Sequence, residues 1–410
     1  MRDLKWRSGA WLERIRTARA VMAQDRRGLP ATDPGPERVI EEAIAWLGRA
    51  QDNSATHDGG VARHYSLIAG WADSYPETTG YIVPTLLAYG EAKGERETIA
   101  RARRMLDWLV AIQFPEGGFQ GGMVRQLPRV PVTFNTGQIL LGLAAGARLD
   151  GRYMTSMQRA ADWLVRTQDH DGCWRRYPTP FATAGEKTYE THVSLALLEA
   201  DAVDPGRGYL QAALKQVDWA ISQQAPNGWL ARCCLSDPER PLTHTLGYAL
   251  RGIVGAYVAS NDKRYLEAAV RTADGLIGAL TLDGKLPGRL DAQWRPAVDW
   301  VCLSGVSQIA HCWLLLHTIT GRDDYRLAGL NANAFVRRTI TLDHPEEIRG
   351  GVKGSFPVNG GYGKWQYLNW ACKFTIDANC EELSLLQAEK RRGRSTALRR
   401  SEGLKHGRLP

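Results

Sequence analysis

Apolar residues recur at helical spacing along most of the chain, and two kinds of helix alternate. One kind carries a charged face. Arg101, Arg103, Arg104 and Asp107 share a stretch with Leu106 and Leu109, and the pattern returns with Arg159, Asp162 and Arg166 and with Lys263, Arg264, Glu267 and Arg271. Such a helix has one solvated side and one buried side. The other kind is apolar all round. Ile139 to Gly146 is nearly all apolar and small, as are Val193 to Ala202 and Leu246 to Ala259. A helix without a polar face is buried. The alternation therefore predicts an outer ring of amphipathic helices around an inner ring of buried ones. Period-two alternation is confined to short turn segments, so the predicted class is all-α, with short β or irregular loops at the mouth of a central cavity.

A recurrent figure marks the end of each charged-face helix. Trp163-Leu164, Gln168, Asp171-Gly172 and Trp174 read W-L-x-x-x-Q-x-x-D-G-x-W. Trp108-Leu109 with Gln113 leads to Glu116-Gly117-Gly118-Phe119, and Trp219 with Gln224 leads to Asn227-Gly228-Trp229. Trp46-Leu47 with Gln51 precedes Asp58-Gly59-Gly60, and Gly275-Leu276 with Leu280 precedes Asp283-Gly284. A degenerate sixth copy is expected from Phe335 to Asn359-Gly360-Gly361-Tyr362. The turn glycines then fall at 59, 117, 172, 228, 284 and 360, in steps of 58, 55, 56, 56 and 76. A fixed period of this length signals a repeat architecture. Each unit holds two helices, and six units predict twelve helices closing into an (α/α)6 toroid over residues 36–386. Leu4, Trp11, Leu12, Ile15, Ala18 and Val21 predict a leading helix within residues 1–28, joined to the ring by a Pro-rich linker.

The chain of 410 residues carries a net charge of +8, but residues 388–410 alone hold eight Lys or Arg against two Glu. The high isoelectric point therefore does not describe the body. Residues 387–410 are expected to be a disordered basic tail, with peripheral contact to anionic lipid as its functional reading. Seven Cys without C-x-x-C suit free thiols in a reducing compartment. No secretory h-region and no run of roughly 18 apolar residues is present, so a cytoplasmic protein, membrane-associated at most through its tail, is expected.

The W-L-x-x-x-Q-x-x-D-G-x-W figure resembles the QW-type repeat of squalene cyclases and prenyltransferases. Asn261-Asp262-Lys263-Arg264-Tyr265-Leu266-Glu267-Ala268-Ala269 resembles helix openings in six-hairpin glycosidases and uronyl-processing (α/α)6 barrels. Ser74-Tyr75-Pro76-Glu77-Thr78-Thr79-Gly80-Tyr81 and Val358-Asn359-Gly360-Gly361-Tyr362-Gly363 are similar to segments of toroid proteins encoded in bacterial exopolysaccharide clusters. All three resemblances imply the α/α toroid. They do not select a chemistry, since one toroid hosts several.

The chemistry is expected where the inner helices begin, because the loops from the outer ring converge there. Glu77, Tyr81, Glu190, His192 and His244 are the catalytic candidates, since a titratable group facing a cavity is costly unless it has a use. Asn135, Gln138, Tyr189 and Asn369 open inner helices as well. Thr and Ser at such positions are expected to serve as helix caps. The loops add Arg63, His64, Tyr65, Trp71 and Tyr75 after the first turn, Arg175 after the third, Arg232 after the fourth and Arg289 after the fifth. Lys353, Tyr362 and Trp365 belong to the sixth. Aromatic rings beside Arg and Lys suit sugars carrying carboxylates: the ring stacks on the apolar sugar face, and Arg clamps the carboxylate.

A terpene cyclase would need D-x-D-D, which is absent, and the zinc spacing of a protein prenyltransferase is absent as well. No nucleotide-binding or metal motif is present, so no cofactor and no metal are expected, and the tail lacks the interleaved aromatics of nucleic-acid binders. The favoured expectation is an enzyme on an acidic oligo- or polysaccharide that abstracts the C5 proton of a uronate, as a C5-epimerase or a lyase. The alternatives are a glycoside hydrolase using Glu77 and Glu190, and a non-catalytic glycan-binding component of an export system.

Overall fold

A computed structural model describes the backbone of residues 2–343 and 345–405 and the side chains of residues 11–343 and 345–391. A leading helix, α1 (Arg2–Arg26), precedes the ring. The outer helices are α2 (Pro36–Asp52), α4 (Arg96–Ile112), α6 (Met154–Thr167), α8 (Tyr209–Ser222), α10 (Lys263–Gly278) and α12 (Asp323–Arg337). The inner helices are α3 (Pro76–Lys93), α5 (Thr133–Leu149), α7 (Thr191–Asp201), α9 (Thr243–Ser260), α11 (Leu303–Thr320) and α13 (Asn369–Lys405). Each inner helix packs on the next, and α13 returns to α3, so the chain is an (α/α)6 toroid. Close approach between neighbours explains the small residues. A Cβ on Gly142 of α5 would lie 2.2 Å from the carbonyl oxygen of Gly80 on α3.

The tight helical hairpins run from inner to outer helix: α4 lies on α3, α6 on α5, α8 on α7, α10 on α9 and α12 on α11. The remaining outer helix, α2, lies on α13. The first and last helices of the ring therefore form its sixth pair.

The recurrent sequence figure is the joint between neighbouring pairs. Gln168 donates from Nε2 to the carbonyl of Gly172 at 3.0 Å and to that of Ala212, on the next outer helix, at 2.9 Å. Gln113 bridges Gly117 and Ser156 in the same way, and Gln224 bridges Gly228 and Ala268. Gly172 has φ +98°, and a Cβ there would sit 2.6 Å from the Lys215 carbonyl oxygen. A side chain would thus meet both backbone strain and a clash. Gly350 (φ +74°) stands in this relation to Glu42 of α2, at 2.1 Å, whereas Gly360 packs on Ser355 and Trp300. The sixth turn is therefore at Gly350 and not at Gly360. The residues that follow it form a long excursion back to the cavity mouth.

A second tie links the outer helices. Tyr153, Tyr209, Tyr265 and Tyr325 donate to Asp107, Asp162, Asp218 and Asp274 on the preceding outer helix, at 2.7–2.9 Å. Thr136 and Thr245, expected as caps, instead fasten the incoming loops. Thr136 Oγ1 accepts from the Phe119 amide at 2.9 Å, and Thr245 Oγ1 donates to the Cys233 carbonyl at 2.9 Å.

Short strands finish the seam. β1 (His64–Ser66) pairs antiparallel with β2 (Gly70–Trp71) and with β5 (Gln366–Leu368), while β3 (Val301–Cys302) pairs with β4 (Ser355–Phe356). α1 buries Ala18 and Val21 against the body, and its Asp25 accepts from Lys353 Nζ at 2.5 Å and from the Val358 amide at 2.7 Å. The expected break after residue 386 falls inside α13, which continues to Lys405. Low hydrophobicity does not oppose a helix rich in Ala, Leu, Glu, Lys and Arg, all strong helix formers, and Glu389 is tied to Arg326 of α12 at 2.7 Å. Arg408 of the expected basic tail lies outside the described residues. No described helix is long and apolar enough to cross a membrane.

Candidate active site

The first turns of α3, α5, α9 and α13, with the loops above them, enclose a cavity of about 350 Å³. Its wall is mostly aromatic: Tyr75, Tyr81, Phe134, Phe181, Tyr189, Tyr248, Tyr362 and Trp370. Its charged or titrating polar groups are Glu77, Arg63 and His244.

Glu77 sits in the first turn of α3, next to Asn135 at the start of α5. Its Oε2 accepts from Tyr75 Oη at 2.6 Å and from Asn135 Nδ2 at 2.8 Å. Oε1 has no hydrogen-bond partner among the described residues and is the oxygen left to the cavity. Burial pushes the carboxyl up to about 7, against the opposing pull of the Tyr75 hydrogen bond and the Arg63 charge. The group is thus poised to exchange a proton near neutrality.

Arg63 is held from behind. Nη1 lies 3.0 Å from His64 Nδ1 and donates to Gln366 Oε1 at 3.3 Å. Its guanidinium carbon is 5.0 Å from the Trp370 ring centroid and 5.8 Å from that of Tyr75. The remaining N–H groups have no hydrogen-bond partner among the described residues and are left to meet an anion. His64 is kept neutral by burial and by the adjacent Arg63, which hold it down to about 3; as a neutral imidazole it can accept from Arg63.

His244, in the first turn of α9, has burial holding its pKa down to about 4. The Gln308 amide satisfies its surroundings when its nitrogen donates to Ser304 O and His244 O at 3.2 Å and to His244 Nδ1 at 2.6 Å. Nδ1 is then an acceptor, and the ring proton lies on Nε2, which has no hydrogen-bond partner among the described residues. Neutral His244 therefore offers an N–H to the cavity. One turn on, the Tyr248 ring stands 4.5 Å from His244, and its hydroxyl is 3.4 Å from that of Tyr81. Burial raises both phenols well above their usual range. They remain protonated and able to donate.

Of the residues expected from the sequence, Glu77, Tyr81, His244, Arg63, Tyr75, Tyr189 and Tyr362 line this cavity. Asn135 reaches it through Glu77. The others are elsewhere. His192 lies deeper, its Nδ1 2.7 Å from Gln138 Oε1, and faces a second cavity. Glu190 is buried outside the wall, and desolvation raises it to about 8. Arg175 is bound to Asp169, Asp171 and Glu186, and Arg232 to Glu186, so neither is a free clamp. Arg289 is spent on the Arg240 carbonyl and Ser236. Lys353 is buried against Asp25. Tyr65 and Trp71 stack on each other and, through Trp71, on Trp46 behind the β1–β2 turn. Asn369 donates to the Ala62 carbonyl at 3.0 Å, and the backbone of Trp365 joins Val358 to Leu67. For Arg175, Arg232, Arg289 and Lys353, the nearest acid, carbonyl or hydroxyl holds the side chain before any ligand could.

Tyr248, Phe134, Phe181 and Trp370 were not singled out as site residues. Tyr248 follows His244 by four residues and so shares its helix face, a signal present in the sequence. Phe181 comes from a loop without periodicity. Among the described residues no three His, Cys, Asp or Glu side chains converge as a metal site would require.

No family model matches the chain, and no curated protein matches it. Solved structures do. An unsaturated glucuronyl hydrolase specific for heparin superposes with a TM-score of 0.69 at 16% identity, covering 86% of this chain and 98% of its own. Cellobiose 2-epimerase from Bacillus thermoamylovorans B4167 gives 0.68 at 11%, covering 84% and 96%. A D-mannose isomerase gives 0.67 at 16%, covering 87% and 99%. At these identities the likeness establishes the shared toroid.

Proposed function

We propose that this chain is a carbohydrate-active enzyme that moves the C5 proton of a uronate residue at the end of a short glycan, as an epimerase or a lyase. The observation that carries this reading is the meeting of Glu77, Arg63 and His244 in one aromatic-walled cavity. The volume lies at the lower end of small-ligand sites, ~300–1,000 Å³. It suits a sugar or a chain end and not the middle of a polymer.

Arg63 and the Nε2–H of His244 hold the substrate carboxylate and receive the charge that develops on it. Glu77 Oε1 takes the C5 proton, and the electron pair passes into the carboxylate as an enediolate. Return of a proton to the opposite face, from Tyr81 or Tyr248, inverts C5. Departure of the 4-oxygen substituent, protonated by the same phenols, leaves a 4,5-double bond. The Gln308 contact leaves His244 as a donor, so the base in this reading is Glu77. Similarity to proteins of exopolysaccharide clusters would make the substrate an intermediate or product of polymer assembly.

The test is incubation of uronate-terminated oligosaccharides in D2O, followed by NMR and by ultraviolet absorbance. Deuterium at C5, or a conjugated product, abolished by Glu77→Gln, supports the reading; neither signal across a uronate panel overturns it. Hydrolysis is the second reading, favoured by a Glu77 carboxyl held near 7 by burial, as a general acid requires. It lacks a second carboxylate in the lining, since Glu190 stands outside. Release of reducing ends with neither deuterium uptake nor a conjugated product would select it.

A further inference from the structure

A second cavity of about 250 Å³ opens between the inner helices. It is walled by Leu141, Ala145, Leu195 and Phe374 and carries Arg251, His192 and His311. Two more cations line it, but each has its acid. Lys373 pairs with Asp377 at 2.5 Å, and Arg148 pairs with Glu199 at 2.8 Å. Arg251 makes no hydrogen bond and no ion pair among the described residues. His311 likewise has no hydrogen-bond partner there, and His192 uses only Nδ1, on Gln138. A guanidinium and two imidazoles thus converge on one cavity with donors unspent, and the lining keeps one positive charge beyond its carboxylates.

We propose that this cavity binds a small carboxylate ligand of sugar-acid size, with Arg251 as its clamp. A guanidinium meets a carboxylate through two parallel hydrogen bonds, and the Phe374 ring and the Leu–Ala wall supply an apolar face for the rest of the ligand. The lining runs from His192 in the first turn of α7 to Arg148 in the last turn of α5, and the selectivity comes from these side chains. Gln308 lines this cavity while also touching His244 of the mouth, so the two spaces share one amide.

The probe is D-glucuronate, titrated into the full chain with the imidazole signals of His192, His244 and His311 followed by NMR. The wild type is expected to show movement of His192 and His311. Arg63→Ala, which alters only the mouth, is expected to keep that movement. Arg251→Met, which retains the apolar stem, is expected to raise the dissociation constant read from His192 and His311 at least tenfold while its melting curve stays that of the wild type. Loss of the His192 and His311 response in Arg63→Ala with full retention in Arg251→Met would overturn the proposal, as would a wild type in which only His244 responds or none does. A response of His244 alone reports binding at the mouth separately from this site.

Discussion

Gln308 of α11 meets Nδ1 of His244 on α9 at 2.6 Å, and this contact decides which nitrogen of the imidazole carries the proton. Gln308→Leu frees the ring to take either tautomer. The expected result is a fall in kcat of about ten- to a hundredfold, the range seen when the outer partner of a functional imidazole is lost, with little change in KM. Gln308→Glu places an acceptor at Nδ1, moves the proton there, and should cost more than Gln308→Leu. Steady-state kinetics with 15N NMR of the imidazole check both.

Glu77 carries a folded-state pKa raised to about 7 from 4.5. The folded chain therefore binds more protons than the unfolded chain between these values, and its stability falls as pH rises through that interval, then levels above about 7. Glu77→Gln removes the cost. The variant should be more stable than the wild type at pH 8, by roughly 3 kcal/mol at most, and nearly equal to it below pH 4.5. Urea unfolding at the two pH values measures the difference.

As the base, Glu77 must be ionised. The kcat/KM for C5 exchange should rise with pH and level above about 7. A falling profile over that interval would mark Glu77 as an acid and favour the hydrolytic reading.

Arg63→Ala should raise KM for a uronate-ended substrate about thirtyfold, corresponding to ~2 kcal/mol for a charged hydrogen-bonded contact. The same change at Arg175 or Arg232 should leave KM unaltered, because both guanidinium groups are already bound to acids outside the cavity. Substrate kinetics of the three variants separate clamp from rim.

Gln168→Leu leaves the carbonyls of Gly172 and Ala212 without their shared donor. A loss of about 2 kcal/mol in unfolding free energy is expected, with kcat unchanged. Denaturant titration beside an activity assay tests whether the repeat figure is scaffold alone.

The toroid was legible because its helices announce themselves by which faces are apolar, and because each joint repeats Gln and Gly at fixed spacing. The sixth turn was misplaced at Gly360 because Gly350 lacks both the preceding Gln and the Asp. Only its contact with Glu42, more than three hundred residues upstream, identifies it. Glu77 and His244 were legible as titratable groups opening apolar helices. Arg175, Arg232 and Lys353 carried the same local signal as Arg63. What separates them is which acid each meets in space, and Asp25 or Glu186 cannot be matched to its cation by spacing. His192 and His244 are each the second residue of an inner helix, and only the cavity each one lines separates them, which helix periodicity does not report.

The sixth pair joins the two ends of the chain, and this has a consequence for synthesis. Val39, Ile40, Ala43, Ile44, Trp46 and Leu47 of α2 are buried in the finished ring, yet the helix that covers them emerges last. Trp46 donates to the carbonyl of Glu347, 301 residues later, and Asp25 waits 328 residues for Lys353. At ribosomal rates of ~5–20 residues per second, that apolar stripe stays uncovered for on the order of tens of seconds. The growing chain therefore spends most of its time on the ribosome as an open arc with one adhesive edge, and its solubility in that period rests on whatever shields α2 before the arc can close.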